Sequence, residues 1–322
     1  MKQKFIGLMS GTSKDGLDGC LVDFSDGFNF ICGETMSFND KYKSSDDIQF
    51  LDQEITTVSI ELVNCIIEKS GLDKNDISGV AFSGQTISHN DKLSVQAGNP
   101  DKIARALGMT VFSDFRNEDI KRGGRGAPLI PPFHAYLFGD KKQDSLIINI
   151  GGIANGTYLK KGEILIGTDI GPGNCLMDLV MLKNELGQFD NEGILASQGH
   201  CIDELLEKST NLLSNLSYPR ADDITQYTKI YDQFNCNQYK AEDLLATFAE
   251  LTSLKIREFH DYCNRPSNLI LHGGGIKNNF LMNKIKQSIG EFKTSEYILP
   301  TEYVEGAAFA YLAHLGLGLA FK

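Results

Sequence analysis

GTDIGPGNCLMD, residues 167–178, decides how this chain of 322 residues is read. The apolar run Ile164, Leu165, Ile166 leads into it and LVMLKNELG follows. The order is therefore strand, glycine turn, helix, with Asp169 expected in the turn, where an acid can meet a ligand. Gly171, Pro172 and Gly173 permit close backbone approach and positive φ, and Asn174 suits the cap of a helix whose first amides would face an anion. That is the architecture of a phosphate site. A tight turn capping a helix explains the same glycines with no ligand at all, so the rest of the chain has to decide.

Composition narrows the choices. At 41% hydrophobic and 23% charged the chain reads as an ordinary globular protein, long enough for about two domains of roughly 150 residues. Its net charge of −11 leaves no electrostatic footprint for nucleic acid or for an acidic membrane, so a phosphate must be held by local geometry and metal. Cys20, Cys32, Cys65, Cys175, Cys201, Cys236 and Cys263 form no CxxC pair, and the odd count suggests free thiols in a reducing compartment, used as core filler. The apolar stretch after MKQK is too short for a signal peptide, and no apolar run nears the roughly 18 residues that span a bilayer, so a cytoplasmic protein is expected.

Outward from the central stretch, the N-terminus reads as a glycine-turn hairpin. KFIGLM is a first strand and LDGCLVDF a second, joined by GTSKDGLD, residues 11–18. Its glycine amides, the hydroxyls of Thr12 and Ser13 and the carboxylates of Asp15 and Asp18 could wrap a triphosphate, although DG is also the commonest hairpin turn. Residues 28–38 read as a third strand and 46–70 as a helix whose apolar residues recur at helical spacing. The strand expected over 77–89 ends in Gly84, Gln85, Thr86 and His89, polar groups where ligands are often met. Arg116 follows a further strand; its planar fork could read a sugar carboxylate or serve a structural pair with Asp114 or Asp119. A glycine and proline passage, residues 123–139, enters a helix carrying His134, and its end marks the expected domain boundary.

The second half repeats the grammar but not the sequence. Residues 145–169 give a strand, a glycine turn with Asn149 and Asn155, and two more strands leading to Asp169. A helix over 174–187 and a largely helical tract follow. NLILHGGGIKNN then places Gly273, Gly274 and Gly275 between a buried-type strand and a helix, and the chain ends on a small-residue helix with Glu305 near its start. No Walker A sequence, HExxH, GxSxG or well-placed GxGxxG occurs. Three glycine turns at strand ends fit a nucleotide clamped between two lobes better than three unrelated caps.

Taken in order, GLMSGTSKDGLD, SGQTISH, DFRNEDIKRGGRGAPLIPPFH, NIGGIAN, TDIGPGNCLMD, FDNEGILASQG, AEDLLATFAELT, HGGGIKNNFLM and EGAAFAYLA resemble the anhydro-N-acetylmuramic acid kinases of bacterial cell-wall recycling, almost end to end. The resemblance implies an α/β, two-lobe, actin-like (ribonuclease H-like) sugar kinase fold with an interlobe active-site cleft, the lobes spanning 1–140 and 141–322. It also implies ATP with Mg²⁺ and a small amino sugar as substrate, with no nucleic acid or membrane partner and with a homodimer left open. Position by position, Gly11, Thr12, Ser13, Lys14, Asp15, Gly16, Leu17 and Asp18 match the first phosphate loop, with Asp15 holding the metal through water. Gly171, Gly173 and Asn174 match the second phosphate loop and Asp169 the catalytic base. Gly273, Gly274, Gly275 and Asn278 match the adenosine side, and Thr86, Arg116, Asn155 and Glu305 the sugar side. The chain departs from the family at Lys14, usually apolar, at Ser83, usually histidine, and around SYPRADDITQYT, residues 217–228, where a segment of Lys, Ser, Thr, Gly, Arg and Glu is usual.

The chemistry implied is a double one. The substrate's 6-oxygen is tied to its anomeric carbon, so water must open the bridge before that oxygen can be phosphorylated, and Asp169 would activate the water. An ordinary kinase using Asp169 on a free hydroxyl, and a nucleotide-binding sensor without turnover, are the alternatives.

Overall fold

The computed structural model describes residues 3–11, 14–90, 92–214 and 217–322. The chain divides into two compact units, one made of Met1–Phe133 and Ile298–Lys322, the other of His134–Tyr297.

In the first unit β1 (Lys4–Ser10), β2 (Gly16–Asp23) and β3 (Asn29–Ser37) form an antiparallel meander. Phe5, Ile6 and Leu8 on β1 are buried, as befits a strand in the middle of a sheet. After the short α1 (Asp40–Ser44) comes α2 (Ile48–Ser70), begun by the Asp47 carboxylate accepting from the N–H groups of Gln49 and Phe50 and ended by Gly71 at φ 66°. Its Leu51, Ile55, Leu62, Val63 and Ile66 make the buried stripe that packs on β2 and β3. β4 (Gly79–Phe82) then runs parallel to β1.

The single strand expected over 77–89 is in fact two. Gly84 adopts φ +69°, a left-handed conformation that cannot continue a pleat. The chain turns there into β5 (Gln85–Asn90), which pairs with β6 (Leu93–Ala97) as a separate hairpin. α3 (Pro100–Leu107), β7 (Val111–Ser113), α4 (Phe115–Lys121) and α5 (Pro131–Phe138) follow, with β7 extending the sheet parallel to β4.

The second unit begins within α5, at His134, and its sheet starts with β8 (Ser145–Ile150), β9 (Ile153–Lys160) and β10 (Glu163–Pro172), again an antiparallel meander. α6 (Cys175–Lys183), α7 (Asp203–Leu212), α8 (Ile224–Gln233) and α9 (Ala241–Tyr262) contribute side chains to one large apolar core with Leu146, Ile148, Ile150 and Leu271 of the sheet. β11 (Asn268–His272) pairs parallel with β8, α10 (Asn279–Ile289) follows, and β12 (Lys293–Thr294) pairs parallel with β11. Each unit thus carries a sheet of one plan, three antiparallel strands with parallel strands added beside the first. The repeat of organisation read in the sequence is a repeat of topology.

α11 (Val304–His314) and β13 (Leu319–Phe321) close the chain within the first unit. The expected lobes 1–140 and 141–322 are corrected accordingly. The cause is local: a Cβ on Gly7 of β1 would lie 1.8 Å from the carbonyl oxygen of Gly306, so two glycines let α11 press directly on the central strand. β13 then pairs with β7. Among the described residues no helix is long and apolar enough to cross a membrane.

Candidate active site

Asp169 lies within β10 and not in the turn after it, because the strand runs on to Pro172. A register shift between Asp169 and Gly171 marks a bulge at this point. Asp169 is paired with Asn155 of β9, Asn155 with Asn149 of β8, and Asn149 with His272 of β11. Register partners present their side chains to one face, so four polar residues cross the sheet in a single row. Asp169 is half-buried.

The segment SYPRADDITQYT, residues 217–228, holds this acid. The Asp169 N–H donates to the carbonyl of Arg220 at 3.0 Å, and the N–H of Asp222 donates to Asp169 Oδ2 at 2.7 Å. The N–H of Arg220 donates to Thr168 Oγ1 at 2.8 Å. Arg220 Nε meets Asp222 Oδ2 at 2.7 Å, a further guanidinium N–H of Arg220 donates to the Ile170 carbonyl, and Tyr227 Oη donates to Asp222 Oδ2. Burial opposes the charge on Arg220, but the Asp222 carboxylate outweighs it and raises its pKa. A cavity of about 460 Å³ beside this network is lined by Tyr218, Arg220, Lys255 and Glu258 among others.

The glycine turn after Asp169 is a packing device. A Cβ on Gly173 would lie 2.1 Å from the Gly151 carbonyl oxygen, and one on Gly171 would meet Lys255 at 3.0 Å. Neither glycine has a positive φ, contrary to the expectation from sequence. The N–H groups of Gly173 and Cys175 donate to the Gly152 carbonyl and that of Asn174 to the Gly151 carbonyl, so these amides are already paired. Asn174 makes no side-chain cap; its amide donates to the Ile150 carbonyl at 3.2 Å instead.

The late triple glycine closes in on the same spot. Gly273 has φ +90°, and a Cβ there would be 2.2 Å from Asn149 Oδ1, while one on Gly275 would be 2.3 Å from Ile150 Cγ2 and 3.0 Å from Asn174 Oδ1. Gly274 is exposed, with only Asn174 Nδ2 near, at 3.9 Å. The NIGG, TDIGPGN and HGGG stretches therefore converge at one end of the second unit's sheet. Asn278 is a correction: it is buried, its side chain caps α10 by accepting from the Leu281 N–H, and its amide faces Met177 Sδ. That leaves it a structural cap.

In the first unit Thr12 and Ser13 lie outside the described residues. Around them, Ser10 Oγ donates to Gln85 Oε1 at 2.6 Å and Gln85 Nε2 donates to the Gly11 carbonyl at 3.1 Å. Lys14 sits at φ 54° with its ammonium on the Ser45 carbonyl at 3.0 Å. Asp15 is exposed, and Gly16 opens β2 close to the Met36 carbonyl. Leu17 is fully buried in the apolar core, so its side chain is no ligand contact, and Asp18 accepts from Thr35 Oγ1 at 2.6 Å. Thr86 lies half-buried in the β5–β6 hairpin opposite Gln96. Arg116 donates to the Gly126 carbonyl at 2.9 Å while Asp119 accepts the Gly126 N–H at 2.8 Å, so both brace the GGRG loop. Glu305 stands half-buried in the first turn of α11.

Sequence reasoning noted Gln85 without a role and missed Arg220, Asp222 and Tyr227 altogether. Nothing in the periodicity of SYPRADDITQYT announces an edge laid along β10. The seven cysteines are all free. Burial raises the thiol pKa of Cys175 and Cys263 to about 12 and of Cys236 to about 11, which suits filler and not nucleophiles.

The family model for anhydro-N-acetylmuramic acid kinase matches residues 3–318. The enzyme of that name from Shewanella denitrificans is 36% identical over 337 residues, covering 96% of this chain and 90% of its own. Among solved structures, the Acidaminococcus fermentans (R)-2-hydroxyglutaryl-CoA dehydratase component A aligns with TM-score 0.52 at 11% identity, covering 97% of this chain and 99% of its own. The Clostridium difficile activator of 2-hydroxyisocaproyl-CoA dehydratase, with bound ADPNP, aligns with TM-score 0.50 at 15% identity, covering 97% and 94%. At such identities the likeness speaks for the fold alone, the two-lobe actin-like α/β fold. The chain belongs to the anhydro-N-acetylmuramic acid kinase family and is a phosphotransferase with an alcohol group as acceptor.

Proposed function

We propose that the chain opens 1,6-anhydro-N-acetylmuramic acid with water and phosphorylates the released 6-oxygen from ATP, giving N-acetylmuramic acid 6-phosphate in cell-wall recycling. The observation that carries the reading is the half-buried Asp169 at the bulge of β10, its carboxylate oriented by the Asp222 N–H and in register with Asn155. A carboxylate so placed serves as general base toward a water that attacks the anomeric carbon. The bond from that carbon to the 6-oxygen breaks, and the freed oxygen attacks the γ-phosphate. ATP as donor is supported by the kinase family and by the convergence of Gly273, Gly274 and Gly275 on Asn149 and Asn174.

Magnesium is the metal such a transfer uses. Among the described residues no three or more His, Cys, Asp or Glu gather into a metal site. A magnesium ion that arrives with phosphates needs only one or two protein carboxylates, and the exposed Asp15 fits that demand, directly or through water. When bound, the ion would neutralise charge on the phosphates. Arg116 and Glu305 remain candidates for the sugar side on resemblance.

The test offers ATP with the anhydro sugar, with free N-acetylmuramic acid and with water alone, following ADP and sugar mass. In ¹⁸O water, under rapid quench, the label is expected on the anomeric hydroxyl and absent from the phosphate. Turnover of the free sugar alone would make it an ordinary sugar kinase, and no turnover with any acceptor would leave a nucleotide sensor.

A further inference from the structure

We infer that Arg220 is a positioning residue for the Asp169 carboxylate, through an extended edge, residues 220–222, laid along β10. The inference rests on the reading of Asp169 as the base. Arg220 is unusual in bonding to three consecutive residues around that acid. Its N–H donates to Thr168 Oγ1, its carbonyl accepts from the Asp169 N–H, and its guanidinium reaches the Ile170 carbonyl. The same guanidinium binds the Asp222 carboxylate, which Tyr227 Oη also holds. Residue 222 is thereby fixed at both its side chain and its backbone, and it is the Asp222 N–H that meets Asp169 Oδ2 at 2.7 Å.

The Arg220 and Asp222 side chains are only 11% and 5% exposed. A buried ion pair is a poor device for stability, since apolar residues of similar volume serve as well or better. Its geometry here has a use: the planar fork of arginine joins the carboxylate of one strand-like edge to the carbonyl next to the reacting acid on the other. A lysine would keep the charge but could not span both. The Tyr218 ring lies 4.8 Å from the guanidinium carbon, within cation–π range. This arrangement gives residues 220–222 a purpose, although they lie about 50 positions from Asp169 in sequence.

A misplacement of about 1 Å at a catalytic group costs up to about a hundredfold in rate. Arg220→Lys should therefore lower kcat by about ten- to a hundredfold with the KM for ATP within about twofold of wild type. The decisive measurement is a double-mutant cycle with Asp169→Asn, since residues acting through one another are not additive. In the Asp169→Asn background, Arg220→Lys should change kcat by less than about twofold. An equal loss in both backgrounds, or wild-type kcat for the single variant, would overturn the inference. Should Arg220→Lys fail to give a cooperative melt, Tyr227→Phe, which leaves the ion pair in place, is judged by the same cycle with a smaller expected loss of about threefold. If instead Asp169→Asn itself turns over at the wild-type rate, it is the reading of the base that fails, and the two failures are told apart.

Discussion

Asp169 and Leu17 mark the two fates of a motif residue. Asp169 is half-buried with its carboxylate on the Asp222 N–H, an arrangement that Asn can keep while losing the capacity to take a proton. Asp169→Asn should lower kcat by about 10²- to 10⁴-fold, equivalent to about 3 to 5 kcal/mol of barrier. The KM for ATP and the melting temperature should change little, and steady-state kinetics with a thermal melt check all three. Leu17 belongs to the other phosphate-loop stretch, GTSKDGLD at residues 11–18, and is fully buried. Leu17→Ala should therefore cost about 2 to 5 kcal/mol of stability, measured by urea unfolding, with no specific effect on the magnesium dependence of the refolded enzyme. Asp15→Asn is expected to do the reverse, altering the magnesium dependence while leaving stability within about 1 kcal/mol. Sequence alone marks a glycine loop and its carboxylates. It does not tell which members face inward, because that depends on where β2 begins.

At the scale of elements, β11 and α5 are tied by a buried histidine pair that the motifs did not disclose. His134 Nε2 and His272 Nε2 are 2.9 Å apart, and His134 Nδ1 lies 2.8 Å from Thr157 Oγ1. One ring must donate to the other, so the accepting ring is neutral, and burial disfavours charge on either. Burial, with the neighbouring ring, keeps His134 well below the usual 6.5, and burial takes His272 down to about 3. The unfolded chain protonates both near pH 6.5, so it binds more protons than the native state below that pH. Stability from this source is full above about pH 6.5 and falls as pH drops toward the folded values, by about 1.4 kcal/mol per pH unit for each histidine. Urea midpoints between pH 7.5 and 5 should show this slope, and His134→Gln should reduce it whatever its effect on absolute stability. A second element-scale expectation concerns the glycine turn: Gly173→Ala drives a methyl to within 2.1 Å of the Gly151 carbonyl oxygen and should displace α6 from β9, destabilising the unit by several kcal/mol. Most strands and the long helices were legible from periodicity; the shorter helices α3, α4 and α8 were not, and neither was the break at Gly84. There one residue in the left-handed region outweighs an otherwise continuous apolar pattern.

For the whole molecule, the return of α11 to the first unit has the largest consequence. Val304, Phe309 and Leu312 are buried there, and fully burying side chains of this size contributes about 1.5 to 3 kcal/mol each, together about 5 to 9 kcal/mol. That is comparable with the whole stability of a domain, about 5 to 15 kcal/mol. A chain ending at Tyr297 should lose the cooperative unfolding of the first unit, while a fragment spanning His134–Tyr297 should retain its own transition, both followed by calorimetry. The sequence by itself determined the two strand, turn, strand openings, the apolar stripes of α2 and α9, and, through the order of its motifs, the kinase family. These are properties of local periodicity and of short words, and they survive without coordinates. Only the tertiary structure decided that Asp169 lies inside β10, that Arg220 and Asp222 hold it, that Gly171 and Gly173 serve packing, and that α11 belongs with β1. Each of these depends on a backbone hydrogen bond or a close approach between residues far apart in the chain, and no local pattern records which distant carbonyl a given N–H will find.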